Sequence, residues 1–364
     1  MSIETFIDYR ISLAETQIVK AFAIAAMLIH HLFYEHPEYG MITHSVGIAG
    51  KICVALFVFL SGYGMATTFP KNICGCLNTA KASFFFLGKR YAKFFLNYWV
   101  VFFVTVPIGI FCFGRPLETA YGENANILVC FIKDMLGQQG FYSYNITWWF
   151  NELILALWIL FPLFYYAMKN GFVAIAVLVF LFINPSNILY ITETFANCLS
   201  IYMQSFCLGI AIALHSERIN KILNIIPVHI VLYGSFFGTV CLFFLRGVPL
   251  FPNFSYFRVD PFLTFSLVLA VVSFCRATNF QFKPLQYIGK HSMNMYLTHT
   301  YILGYFFSEY VFALKYPMAM FVAVFAASLL ISIAFEFFKG KAGFYCLQGW
   351  IVSFLSRQIS SVRN

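Results

Sequence analysis

Charge is what this chain has least of. Of 364 residues, 10% are Asp, Glu, Lys or Arg, against 61% hydrophobic and 20% aromatic, whereas a soluble domain carries roughly 25% charged residues. So few charges could not cover a water-facing surface, which excludes a soluble globular domain and places the protein in a membrane. Acidic residues are scarcest, 14 against 23 Lys and Arg, leaving a net charge of +9. That excess is not a nucleic-acid footprint, because the basic residues fall between apolar stretches rather than in one patch. Metal-ligand spacing is missing from the ten cysteines. Cys74 and Cys76 lie two apart in a loop assigned to the cytosol, where disulfides rarely persist. Cys53, Cys112, Cys207 and Cys275 sit in apolar runs as small hydrophobes. No internal repeat is visible, which weakens a transporter built on inverted repeats.

Ten apolar stretches approach the roughly 20 residues of a helical span. They lie near 18–35, 47–67, 94–113, 147–168, 171–184, 195–214, 225–245, 257–275, 292–310 and 317–338, the fifth being short. The fold class is therefore all-α and polytopic, with about ten transmembrane helices. An N-terminus inside puts 17 of the 23 Lys and Arg on the cytoplasmic side, the bias that fixes orientation. Both termini are then cytoplasmic. The N-terminal 17 residues are mixed polar, unlike the basic lead of a cleaved signal, so the first helix is expected to be retained. Residues 1–342 form the membrane domain. Residues 343–364 form a short tail, interfacial or cytoplasmic. The outer loop over 114–146 has room for a small cap.

Polar groups inside these stretches are the candidate chemistry, since they are costly at bilayer depth. The first stretch, Ile18-VKAFAIAAMLIHHLF-Tyr34, holds His30 and His31, with Lys20 eleven residues before His31. That spacing lifts His31 about 16 Å above Lys20. Histidine suits a general base near neutral pH; the bland alternative is a pair of neutral imidazoles bonded between helices. Glu152, in Trp148-WFNELILALWILF-Pro162, falls at a similar depth. It could orient a histidine, or simply reach water beside Trp148 and Trp149 in the aromatic belt.

Lys89, Arg90 and Lys93 lead into the third stretch from the cytoplasmic side. Arg90 and Lys93 share a helix face and could grip phosphate, or serve only as positive-inside charge meeting lipid phosphate. Ser61, Gly62 and Gly64 favour helix packing over catalysis, with Ser61 beside a substrate pocket. Tyr296 and His299, three apart in the ninth stretch, would line a cavity together with Asn294, Thr298 and, from the fourth stretch, Trp149.

On these residues the chain resembles the acyltransferase-3 family of membrane-bound acyltransferases. The resemblance is carried by the basic–x10–His pattern of Lys20 and His31, by Phe57-VFLSGYG, and by the R-x-x-R-like Arg90 and Lys93. It continues in the Trp148-to-Pro162 span and in Gly289-KHSMNMYLTH, which is similar to the family's G-x-x-S-x-x-x-Y-L-x-H. The resemblance implies a cytoplasmic acyl-CoA donor, usually acetyl-CoA, and no metal. It implies a hydroxyl acceptor on an envelope glycan or related molecule, and a bacterial inner or plasma membrane. His31 would be the family's histidine and Lys20 its basic partner, while Arg90 and Lys93 would lie on the donor side. Lysine replaces arginine at positions 20 and 93, which loses the bidentate fork. The competing readings are a transporter or flippase for a lipid-linked sugar or small molecule, and a binding module that has lost catalysis.

Overall fold

The computed structural model describes residues 7–73, 79–183, 193–246 and 258–361. Every regular element among them is helical. Helix α1 (Leu13–Phe33) opens on a reciprocal cap: the Ser12 hydroxyl accepts from the Glu15 amide, and the Glu15 carboxylate accepts the Ser12 N–H at 2.7 Å. A turn through Pro37 and Gly40 returns the chain into α2 (Met41–Gly50), and α3 (Ile52–Ile73) follows after a single break at Lys51. Helix α4 (Thr79–Phe113) runs for 35 residues, about 52 Å at 1.5 Å per residue. It outreaches a hydrocarbon core of about 30 Å. The basic motif therefore lies within α4, not at the head of a helix beginning near 94.

The segment over 114–146, hereafter the cap, folds into α5 (Leu117–Tyr121) and α6 (Ile127–Met135), followed by two short 3₁₀ turns. Then come α7 (Trp149–Ala167), α8 (Gly171–Ile183), α9 (Glu193–Leu214), α10 (Ser216–Leu223), α11 (Val228–Arg246) and α12 (Asp260–Thr278). Next, α13 (Lys283–Thr300) passes into a π-helical segment, Tyr301–Phe306, before α14 (Ser308–Ala313). The chain ends in α15 (Pro317–Lys341) and α16 (Phe344–Ser360).

Among the described residues, seven helices are long and apolar enough to cross a membrane. An eighth span results if α9, from Cys198, and α10 are taken together across their 76° bend. Two of the ten expected spans fall away for physical reasons. The 13 residues of α8 are too short. The ninth stretch is one continuous span only in the hydropathy profile: α13 is too polar, and the chain breaks at Phe307. Cys74 and Cys76 lie outside the described residues.

The chain divides into two compact units, residues 1–67 with 163–292 and residues 68–162 with 293–364. In the first, small residues let helices approach. Gly62 of α3 lies against the Phe206 carbonyl of α9, and Gly209 of α9 lies against the Phe59 carbonyl, so neither position has room for a Cβ. This bears out the packing reading of Gly62; Gly64 faces open space. Gly289, at the head of the expected signature, abuts the Gln17 carbonyl of α1 in the same way. Helices α11 and α12 share a hydroxyl seam, in which Ser266 donates to the Ser235 carbonyl at 2.8 Å. In the second unit, the tail helix α16 packs along α4, with Leu355 over Gly88.

Candidate active site

The histidine pair closes the last turn of α1. Eleven residues at 100° each bring His31 to within about 20° of the azimuth of Lys20, three turns on, so both project from one stripe of the helix. Each is half-buried. His30 points elsewhere and is nearly enclosed, at 9% exposure. Helix α2 makes this enclosure: Gly47 and Gly50 press against the backbone of α1 at Phe33 and at Ala26 and His30. The contact brings the Gly47 carbonyl to 2.9 Å from Nδ1 of His30. A carbonyl only accepts, so the proton sits on Nδ1 and Nε2 is the nitrogen left to accept one. The His31 ring lies edge-on to this fixed ring, with centroids 5.1 Å apart.

The C-terminal carbonyls of α2 lack the usual i+4 donors, and the next one, Ile48, which accepts the Lys51 N–H at 3.3 Å, also takes a cation. Arg246 donates to it from Nη1 at 2.8 Å, and its Nε and Nη2 meet the two Asp260 oxygens at 2.6 and 3.4 Å. Both side chains are almost fully buried. A helix C-terminus favours positive charge. The pair thereby anchors α2 one residue from the carbonyl that holds His30. The sequence analysis does not single out Arg246. Its signal was the acidic Asp260 at the start of the next apolar stretch.

In the second unit, Arg90 donates to the Thr68 hydroxyl at 3.0 Å and lies over the Phe86 ring. Lys89 is half-buried and Lys93 exposed. The Arg90–Lys93 face continues to Asn97, one turn on. There a buried network begins. The ammonium of Lys339, 2% exposed, donates to Asn97, to Asn294 at 3.0 Å and to Glu336 at 2.9 Å. Asn294 in turn donates to Glu336 at 2.7 Å, and Tyr345 of α16 donates to the other Glu336 oxygen. The sequence analysis does not single out Lys339.

Tyr296 and His299 are both buried in α13. The Tyr296 hydroxyl donates to the Thr147 carbonyl at 2.9 Å and lies 3.1 Å from Oδ1 of Asn151. Nδ1 of His299 meets the Tyr296 carbonyl at 2.7 Å. The Leu297 carbonyl accepts Nε1 of Trp148 at 3.1 Å and Nδ2 of Asn145 at 3.4 Å. These carbonyls precede the π-helical segment, where helical registry shifts and backbone acceptors are released; such segments recur at functional sites. Asn151 is fully buried, and its Nδ2 has no partner. It is a donor without a hydrogen-bond partner among the described residues, and the sequence reading passes over it. Trp149 stacks on Phe141, in keeping with the aromatic-belt reading. Glu152, half-buried, stands against Gly140 of the cap.

The cap is organised by Asp134. Its carboxylate accepts the Tyr121 hydroxyl at 2.9 Å, the Tyr144 amide at 2.6 Å and the Tyr98 hydroxyl at 3.2 Å. Burial pushes the carboxyl up to about 6 even against these three donors. Arg115 clamps the other end, 3.7 Å above the Tyr305 ring and bonded to the Tyr144 carbonyl at 3.0 Å.

What this equipment can do is general acid–base chemistry on α1 and anion binding on α4. Among the described residues no three His, Cys, Asp or Glu side chains gather as a metal site. No curated protein and no solved structure matches the chain. One family model does match, that of an acyltransferase domain, over residues 14–337. The match runs from the first turn of α1 to α15 and takes in every residue named in this subsection except Lys339 and Tyr345. This multi-pass membrane chain belongs to the acyltransferase-3 family.

Proposed function

We propose that the protein moves an acyl group, acetyl in the first instance, from cytoplasmic acyl-CoA to a hydroxyl on a cell-envelope glycan or a related acceptor. His31 is the general base. The observation that carries the reading is the last turn of α1: a half-buried histidine on the Lys20 stripe, beside a second imidazole fixed by the Gly47 carbonyl. The acceptor hydroxyl gives its proton to His31, and its oxygen attacks the thioester carbonyl carbon. The C–S bond breaks, and the thiolate leaves with the proton returned by the imidazolium. Lys20, Lys89, Arg90 and Lys93 supply the cations for donor phosphates. Ser61, Trp149, Tyr296 and His299 belong to the substrate surface, with Glu152 as an orienting carboxylate. No metal is required by this chemistry.

The test is transfer of labelled acetyl from acetyl-CoA to envelope material, in membranes carrying the wild type or His31→Gln. Incorporation that is lost with a folded His31→Gln protein supports the base assignment. Movement of a lipid-linked sugar without consumption of acetyl-CoA would favour the transporter reading instead.

A further inference from the structure

Residues 7–12 precede α1 without joining a helix, and the first residues of a chain are poorly ordered unless something ties them down. Here side chains of the first unit do so by bonding the backbone. Asn224, which closes α10, takes both polar groups of Ile7: its Oδ1 accepts the Ile7 N–H at 2.8 Å and its Nδ2 donates to the Ile7 carbonyl at 2.8 Å. Asn220, one turn earlier, accepts the Tyr9 N–H at 3.1 Å. The Tyr63 hydroxyl of α3 accepts the Ile11 N–H at 2.9 Å. From α12, Arg276 donates to the Asp8 carbonyl at 2.9 Å and to the Arg10 carbonyl at 3.3 Å. Amides of the odd residues thus meet one set of partners and carbonyls of the even residues another, the alternation of an extended chain. The segment is a strap on the first unit, and Tyr9 is buried within it, 7% exposed.

The strap is joined to α1 by more than the chain. Nη2 of Arg276 also donates to Oε2 of Glu15 at 3.3 Å, the oxygen that accepts the Ser12 N–H and closes the cap of α1. One guanidinium therefore ties the strap to the first turn of the helix. A close contact, such as that of Gly289 with the Gln17 carbonyl, limits how near a helix comes; directional bonds also limit its rotation. Lys20 lies five residues beyond Glu15, about 7.5 Å along the axis, whereas His31 lies about 24 Å away. The histidine turn is held separately, through the contacts of Gly47 and Gly50. We propose that Arg276 and the strap are positioning residues for Lys20: they fix the azimuth of the N-terminal end of α1, and so the direction from which the ammonium meets the phosphates of the acyl donor. Lysine at position 276 would keep the charge but lose the planar fork that reaches these oxygens together. The role rests on the acyl-CoA reading above.

The experiment uses the full chain in detergent and the variant Arg276→Lys. Asn220→Ala/Asn224→Ala, which frees the strap and spares the cap of α1, is the second variant, should the first fail to fold. Hydrogen exchange is followed along residues 7–33, and KM and kcat are measured for acetyl-CoA and for acetyl-pantetheine, which carries no phosphate. The expected result is faster exchange over 7–20 with the histidine turn unchanged, and a rise of about tenfold in KM for acetyl-CoA. The kcat and the KM for acetyl-pantetheine stay at their wild-type values. Exchange unchanged over 13–20 would mean that the strap only ties down a terminus and would overturn the proposal. Equal losses on the two donors, unchanged KM values or a fall in kcat would overturn it as well, because Lys20 would then not be what the strap positions. Faster exchange over 13–20, with no acetyl transfer even by the wild type, would uphold the tie to α1 and overturn the acyl-transfer reading.

Discussion

Nδ1 of His30 donates to the carbonyl of Gly47 at 2.9 Å, across a helix contact that only glycine permits. Gly47 and Gly50 are one turn apart on α2, and their missing side chains let the α2 backbone touch α1. The bond is therefore a product of packing, and the orientation of the histidine turn depends on residues that carry no chemistry.

Gly50→Val should remove this seating. The added side chain has no room against Ala26 and His30, and overpacking of this kind costs about 1–3 kcal/mol. The expected outcome is a large drop in acyl transfer with a modest loss of thermal stability. Full activity in Gly50→Val would show that His30 needs no fixed partner.

The Arg246–Asp260 pair should behave as buried ion pairs do. Removing one partner strands a charge and costs about 3–5 kcal/mol, whereas replacing both with apolar residues is far milder. Asp260→Ala should unfold readily in detergent, and Arg246→Met/Asp260→Leu should recover most of the stability. Because the pair also holds Ile48, the double variant should still show a lower kcat with little change in KM for the donor. If both variants prove equally stable, the pair is not the anchor of α2.

Much of this architecture is legible in the sequence, and the exceptions share a cause. The apolar stretches, the glycine packing at Gly62 and the cap over 114–146 follow from local composition and spacing. The ninth expected span is not carried by one apolar helix, because α13 mixes Lys290, His291, Asn294 and His299 with its apolar residues and a π-helical segment follows Thr300, neither of which the length rule registers. The start of α4 was missed because Lys81, Lys89 and Arg90 interrupt the hydropathy while leaving helix propensity intact. Asn97, Asn294 and Lys339 meet across separations of 197 and 242 residues. Asp260 and Arg246 give no periodic signal either. A residue whose role is to satisfy one distant partner looks, in sequence, like any other polar residue. His31 and Lys20 were visible because both lie on one helix, where spacing is geometry.

The cap should titrate through Asp134. Its carboxyl is pushed up to about 6 in the fold, from an ordinary value of 3.8. Between those values the folded protein holds a proton that the unfolded chain releases. The stabilisation is complete below about pH 4 and is lost as pH rises through about 6. Thermal unfolding followed from pH 4 to 7 should therefore show a falling contribution that Asp134→Asn abolishes. A slope unchanged in Asp134→Asn would assign it to another group.

Gly62→Ala and Gly64→Ala make a matched pair. The first places a methyl group against the Phe206 carbonyl and the second places one in open space. Gly62→Ala should lower the melting temperature, and Gly64→Ala should leave it within error of the wild type. Equal effects from the two would remove the α3–α9 crossing from the account.

The most direct test is a thiol-release assay of acetyl-CoA consumption together with labelled-acetyl incorporation, in wild type and in His31→Gln of matched expression and melting temperature. The account predicts stoichiometric thiol release and incorporation in the wild type, and a fall of at least about 100-fold in both for His31→Gln, the scale of a general base. Wild-type rates in a folded His31→Gln protein would contradict the central claim.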